Sequence, residues 1–332
     1  MPVIVIVTIA VAILYDFLNG MNDAGNSIAT IVGTKVLNPK IAVFWAAFFN
    51  FVAFGVFYGS PVAHTIGTGI VHADIIKGDN LFILCSLIGA GLWVLFCARN
   101  GIPNSVSHAL IGGLIGPALV KGGTAVIYFK GLFTIVLFIA LAPILGFVIG
   151  YFFMNAVMLV CGKKAPLKLD GYFRGLQLAS FAAFSLGHGG NDAQKTMGII
   201  LMLLIGTGYL PQNAEIPLWV ALVCYTSIAL GTLLGSRKII KTLGTGLTKL
   251  KPISGFCAQT SAALTLFGVT MAGIPVSTTH TITGAIMGVG VTKRASAVKW
   301  GLASNIVVAW IITIPASMVF SAVFYFLFQL FV

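Results

Sequence analysis

The chain has 332 residues, of which 58% are hydrophobic and only 8% charged, with a mean hydropathy of +1.05. A soluble domain carries roughly 25% charged residues, so a water-coated globule is excluded and an all-α polytopic membrane protein is expected. The net charge of +12 does not call for a nucleic-acid partner, because the basic residues sit in short loops between apolar runs, where orientation in a bilayer accounts for them.

Apolar stretches fall at 3–34, 41–62, 81–98, 101–120 and 126–161, then, after a basic stretch at 163–174, at 175–209, 216–235, 252–271, 273–291 and 299–332. A crossing needs about 20 residues, so each half of the chain holds five candidate crossings. The first stretch has no Lys or Arg before Lys35, which reads as a first helix and not as a signal peptide. The five cysteines are scattered without metal-ligand spacing and read as free thiols.

Within the first stretch stands Asn22-Asp23-Ala24, which recurs as Asn191-Asp192-Ala193 at the matching place in the second half. Glycines surround both copies (Gly20 and Gly25; Gly187, Gly189 and Gly190), so the reading is of two broken helices with the motif at the break. Further along, Gly101-Ile102-Pro103-Asn104-Ser105-Val106-Ser107-His108 recurs as Gly273-Ile274-Pro275-Val276-Ser277-Thr278-Thr279-His280. Both shifts are about 170 residues. A polar signature duplicated at half the chain length is the mark of a repeat-built transporter. The organisation expected is a first repeat at 1–162, a basic cytoplasmic linker at 163–174 and a second repeat at 175–332.

Five crossings per repeat is an odd number, so the second repeat is expected to be inverted. With both termini outside, fifteen basic residues face the cytoplasm and only Lys77, Lys121 and Lys130 face out, which agrees with the positive-inside rule. The segments 101–120 and 273–291 either cross fully or re-enter as hairpins. Re-entry would require 126–161 and 299–332 to cross twice, at Pro143 and Pro315.

The chemistry follows from the two motifs. Pro103 and Pro275 suit a helix start, with Ser105 or Ser107, and Ser277 to Thr279, at the N-terminus. Free N–H groups and hydroxyls there favour an anion, and two such starts converging near the midplane would cradle a tetrahedral oxyanion. Asp23 and Asp192, beside Asn22 and Asn191, offer oxygen ligands of the kind hard cations prefer. His188 with Asp192, His108 and His280 fit polar packing better than metal or catalytic roles. Lys195 has no counterpart in the first half, where Asn26 stands, and is expected to pair with a carboxylate or to snorkel; Gln177 and Gln259 are weaker candidates for the cavity.

The segments Gly20-Met-Asn-Asp-Ala-Gly-Asn-Ser-Ile-Ala-Thr30 and Gly187-His-Gly-Gly-Asn-Asp-Ala-Gln-Lys-Thr-Met-Gly198 resemble the paired signatures of the inorganic phosphate transporter (PiT) family, and the Gly-Ile-Pro copies look like its second repeated element. The resemblance covers nearly the whole chain. It implies a non-enzymatic, inverted-repeat secondary transporter of inorganic phosphate in the plasma (bacterial inner) membrane, commonly a homodimer in the lipid bilayer, driven by Na⁺ or, in some bacterial members, by H⁺, sometimes with phosphate carried as a metal–phosphate complex. No cofactor is implied beyond coupling cations. It assigns sodium to Asn22, Asp23, Asn191 and Asp192. It assigns phosphate to Ser105, Val106, Ser107, Ser277, Thr278 and Thr279. Asn104 is in doubt, because the second copy has Val276 there. An intramembrane enzyme acting on phosphorylated lipid and an anion channel are the rivals from other classes.

Overall fold

The computed structural model describes residues 1–57, 62–71, 73–79, 81–161, 166–235, 237–241 and 246–331. Helix α1 (Val3–Gly33) is followed by α2 (Pro39–Phe57), a short α3 (Val62–Thr68), α4 (Leu81–Asn100), α5 (Val106–Gly122) and α6 (Phe129–Cys161). The second half runs α7 (Pro166–Gly206), α8 (Leu218–Leu233), a short α9 (Arg237–Lys241), α10 (Pro252–Met271), α11 (Thr278–Val291) and α12 (Trp300–Gln329). Among the described residues, seven helices are long and apolar enough to cross a membrane. With large hydrophobic side chains such as Phe44, Phe152 and Ile311 exposed on its outer surface, this is a multi-pass membrane protein.

Two sequence expectations are corrected. The Asn-Asp motifs do not sit at helix breaks: α1 and α7 run unbroken through them, and no glycine there has a positive φ. Those glycines serve close helix approach instead. A Cβ on Gly20 would fall on the Ile228 carbonyl of α8, and one on Gly189 would strike the Asn50 backbone of α2. The linker expected at 163–174 is mostly helix, since α7 already begins at Pro166, a favoured first-turn residue; residues 163–165 lie outside the described residues. On the point the sequence left open, 126–161 and 299–332 do not cross twice, because α6 and α12 each continue through their proline as one helix; instead the start of α4 and the end of α5 meet at Asp79.

The Gly-Ile-Pro motif is a helix stop joined to a helix start. Gly101 (φ 69°) and Gly273 (φ 71°) adopt the left-handed conformation just past α4 and α10. The next residue then folds back: Ile102 N–H donates to the Cys97 carbonyl at 3.0 Å, and Ile274 N–H to that of Val269 at 2.9 Å. That is the glycine-terminated helix end. Four residues after each glycine comes the cap of the next helix: Ser105 Oγ accepts from His108 N–H (3.2 Å) and Ser277 Oγ from His280 N–H (3.3 Å). Two helical hairpins result, α4–α5 and α10–α11. Helix α5 lies against α12, and α11 against α6. Gly112 and Gly284 allow this by meeting the Ile314 and Pro143 carbonyls.

Basic groups collect at one end of the bundle. Arg174 donates to the Lys35 carbonyl (2.8 Å), Lys238 to that of Arg99 (2.7 Å) and Lys293 to that of Lys249 (3.4 Å). At the opposite end Lys121 reaches Asp79 (2.6 Å) and the Ile75 carbonyl (2.5 Å), and the Tyr325 hydroxyl donates to the same carboxylate. Asp79 also receives Leu81 and Phe82 N–H of α4, each at 3.1 Å. Partial burial opposes ionisation of Asp79, but the bonds from Lys121 and Tyr325 outweigh it and hold the carboxyl below its usual range. The folded value is depressed, so the tie is fully present above the ordinary carboxylate pKa of about 3.9 and is lost as pH falls through the lower folded value. Asp79→Asn is therefore expected to lower the melting temperature in detergent at pH 7, with the gap to the unmodified protein closing as the pH approaches 3. A gap that stays constant would refute the ionised tie.

Candidate functional site

Helices α5 and α11 begin in the middle of the bundle and run apart toward opposite ends, so their capped N-termini meet. The contacts between them repeat the sequence duplication. Ser107 Oγ donates to the Val276 carbonyl (3.1 Å), and Thr279 Oγ1, at the matching place, donates to the Asn104 carbonyl (3.2 Å). Ser105, Ser107, Ser277, Thr278, Thr279 and Asn104 are all buried. Neither amide atom of Asn104 has a partner, although the side chain is wholly enclosed. Val106 enters through its carbonyl, which accepts from the Tyr15 hydroxyl at 2.9 Å.

Around these two starts α1 and α7 bring the acids. The Thr278 hydroxyl lies 3.2 Å from Asp23 Oδ2 and 3.2 Å from Asp192 Oδ2. One hydroxyl proton cannot satisfy two carboxylates. Ligand atoms of Asp23, His188 and Asp192 all lie within 4.8 Å of one another, a grouping able to hold a metal ion. The sequence separates the two motifs by chemistry, oxygen ligands for cations and helix starts for an anion; the crossing of α1 and α7 beside α11 joins them in one cluster.

The cluster is not symmetric. Lys195 donates to Asp192 Oδ1, Ser107 Oγ and the Val276 carbonyl, each at 2.6 Å, so its expected pairing with a carboxylate is found. Asn26, its counterpart, donates instead to Thr279 Oγ1 at 2.8 Å and Thr278 Oγ1 at 3.4 Å. Lys195 reaches the start of α5 and the residue before the α11 cap, Asn26 reaches only the start of α11, and only the lysine brings charge. The neighbouring asparagines differ too. Asn22 donates to Asp23 Oδ1 at 2.6 Å and leaves its own Oδ1 unpartnered. Asn191 is committed to the α10–α11 connection, donating to Thr270 Oγ1 (2.9 Å) and accepting from Val276 N–H (3.4 Å).

His188 stands between Asn50 Oδ1 (3.1 Å from Nδ1) and Asp192 Oδ2 (3.3 Å from Nε2), within the cluster. The rings of His108 and His280 pack edge to face at 4.6 Å, and His280 lies 3.4 Å from the Ile139 carbonyl. Pro143 leaves that carbonyl without its helical donor, which gives the histidine a packing role. Gln177 and Gln259 are not brought into the cluster. Gln177 lies four turns before Asp192 on α7, where it accepts from Thr34 (2.9 Å); Gln259 reaches the Ser27 carbonyl (3.3 Å). The sequence reading missed Asn26, Asn50 and Tyr15. It also missed Asp16, a carboxylate in an apolar stretch that intramembrane charge alone would have flagged.

Comparison with known proteins gives one direction. The model described as "Phosphate transporter family" matches the chain twice, at residues 19–171 and 162–321. A "Probable low-affinity inorganic phosphate transporter" of Rhizobium meliloti (strain 1021) is 53% identical over 318 residues, covering 96% of this chain and 94% of its own. A protein of the same description from Bacillus subtilis (strain 168) is 40% identical, over 98% of each chain. A solved structure called "The sodium-dependent phosphate transporter" superposes with a TM-score of 0.90 at 26% identity, covering 99% of this chain and 100% of its own.

Proposed function

Since the chain belongs to the phosphate transporter family, we propose that it imports inorganic phosphate by sodium-coupled alternating access through the site where α5, α11, α1 and α7 meet. The observation that carries this reading is the meeting of two capped helix starts beside Asp23 and Asp192. The N–H groups at residues 106–107 and 278–279, with the hydroxyls of Ser105, Ser107, Ser277, Thr278 and Thr279, suit an oxyanion. Entry of phosphate would require the bonds Ser107–Val276 and Thr279–Asn104 to open, and the unpartnered Asn104 amide is a ready donor. The acids set the coupling. Two aspartates face one lysine, so phosphate adds negative charge to a site that already lacks cations. A carboxylate with an unpartnered amide oxygen beside it, as at Asp23 and Asn22, suits sodium. Proton coupling is the second reading, favoured by the shared hydroxyl between Asp23 and Asp192, which a proton would also relieve.

The arrangement further fits two inverted repeats in a plasma or inner membrane, with the basic end at the cytoplasm and both termini outside. Because one motif copy faces the other, closing one side while opening the other exchanges equivalent contacts. We also assign the protein to homodimers, on the resemblance of its paired motifs to the family.

The test is labelled phosphate uptake into proteoliposomes under an imposed sodium or pH gradient. An inward sodium gradient is expected to accelerate uptake at fixed pH. Acceleration by the pH gradient alone would establish the proton reading, and uptake indifferent to both would overturn symport.

A further inference from the structure

The core holds a third membrane-embedded carboxylate that the site above does not use. Asp16 precedes Asp23 on the same face of α1 by two turns, roughly 10 Å, toward the end that carries Asp79 and Lys121. It is fully enclosed. Its Oδ1 accepts from Thr196 Oγ1 at 2.9 Å, while Oδ2 has no hydrogen-bond partner. Thr196 lies one turn beyond Asp192 on α7, so the two helices that supply the central aspartates also supply this second layer. Asn19, one turn along α1, neighbours the same carboxylate, and its own Oδ1 is buried and unpartnered.

Charge makes the layer unusual. Three aspartates are buried in α1 and α7 with one lysine, and Lys195 pairs with Asp192. Among the described residues no ion pair forms to Asp16. An uncompensated carboxylate inside the membrane is costly and marks an ion site. We propose that Asp16, Asn19 and Thr196 form a further monovalent-cation site that takes sodium, placed between the Asp79–Lys121 end and the central cluster. Carboxylate, amide carbonyl and hydroxyl are all oxygen donors, as a hard cation requires. Its position makes it a station for sodium entering from that end. The identity of the ion rests on the sodium-coupled reading above; the presence of a separate site does not.

Equilibrium binding of radioactive sodium to the purified protein tests this, comparing the unmodified chain, Asp16→Asn and Asp23→Asn. Asp16→Asn is expected to bind one sodium fewer per chain, and Asp23→Asn to retain that sodium. Equal counts for Asp16→Asn and the unmodified chain overturn the proposal, including the case in which Asp16 carries a proton. If Asp23→Asn binds as many ions as the unmodified chain while Asp16→Asn binds fewer, the central sodium assignment fails and this one stands. Thr196→Val keeps the carboxylate and removes one oxygen, and should weaken the same sodium about tenfold. Should Asp16→Asn not fold, unchanged sodium affinity in Thr196→Val overturns the site.

Discussion

Asp23→Asn is expected to reduce sodium-driven phosphate uptake by roughly 30- to 150-fold while leaving the protein folded. The magnitude follows from the loss of a charged interaction of about 2–3 kcal/mol at a tenfold per 1.4 kcal/mol. The folding half follows from the asymmetry of the cluster. Asp23 is held by neutral groups only, Asn22 Nδ2 and the hydroxyls of Thr278 and Thr279. An amide in its place strands no cation, and Asn22 keeps an amide oxygen as acceptor. Asp23 is therefore the carboxylate left for a mobile ion, and Asp192 the one already answered by Lys195. Uptake assays should be paired with thermal melts in detergent. Normal uptake in Asp23→Asn would remove the central cation assignment, and a large loss of stability would show that Asp23 already has a fixed partner.

How this arrangement was visible in the sequence depends on which feature is asked about. The helix starts after Pro103 and Pro275 were legible because the spacing is local chemistry repeated in both copies; that the caps are Ser105 and not Ser107, and Ser277 within 277–279, came from the structure. The grouping of basic residues at one end was legible because loop charge reports on sides, not on packing. Glycine was misread near the Asn-Asp pairs, since the sequence does not distinguish a glycine that breaks a helix from one that lets a neighbour approach. Gly20 and Gly189 are of the second kind, whereas Gly101 and Gly273, left without a role beyond the motif, are the ones with positive φ. The contacts that join the carboxylates to the helix starts were invisible for a different reason. They depend on where α1 and α7 cross α11, and contacts such as Thr278 with Asp23 join residues far apart in the chain. Asp16 escaped because duplication served as the filter, and Ser185 stands at its place in the second copy.

That departure from symmetry has its largest energetic consequence at Lys195. Lys195→Met should destabilise the protein by about 3–5 kcal/mol, because it leaves Asp192 charged, buried and without its ammonium. Asp192→Asn should cost a similar amount by stranding the lysine. Removing both, in Asp192→Asn/Lys195→Met, should restore most of the stability, since no isolated charge is left and Ser107 still donates to the Val276 carbonyl. The interaction term of this double-mutant cycle, measured by thermal or denaturant melts, separates a buried ion pair from two independent packing losses. Additive losses would mean that Lys195 and Asp192 are not coupled. Recovery of stability without recovery of uptake is the expected outcome for the double variant, because the site then lacks both a carboxylate and the ammonium that reaches Ser107 and the Val276 carbonyl at the two helix starts. Uptake restored along with stability would reduce Lys195 to a structural counter-charge and remove it from the transport site.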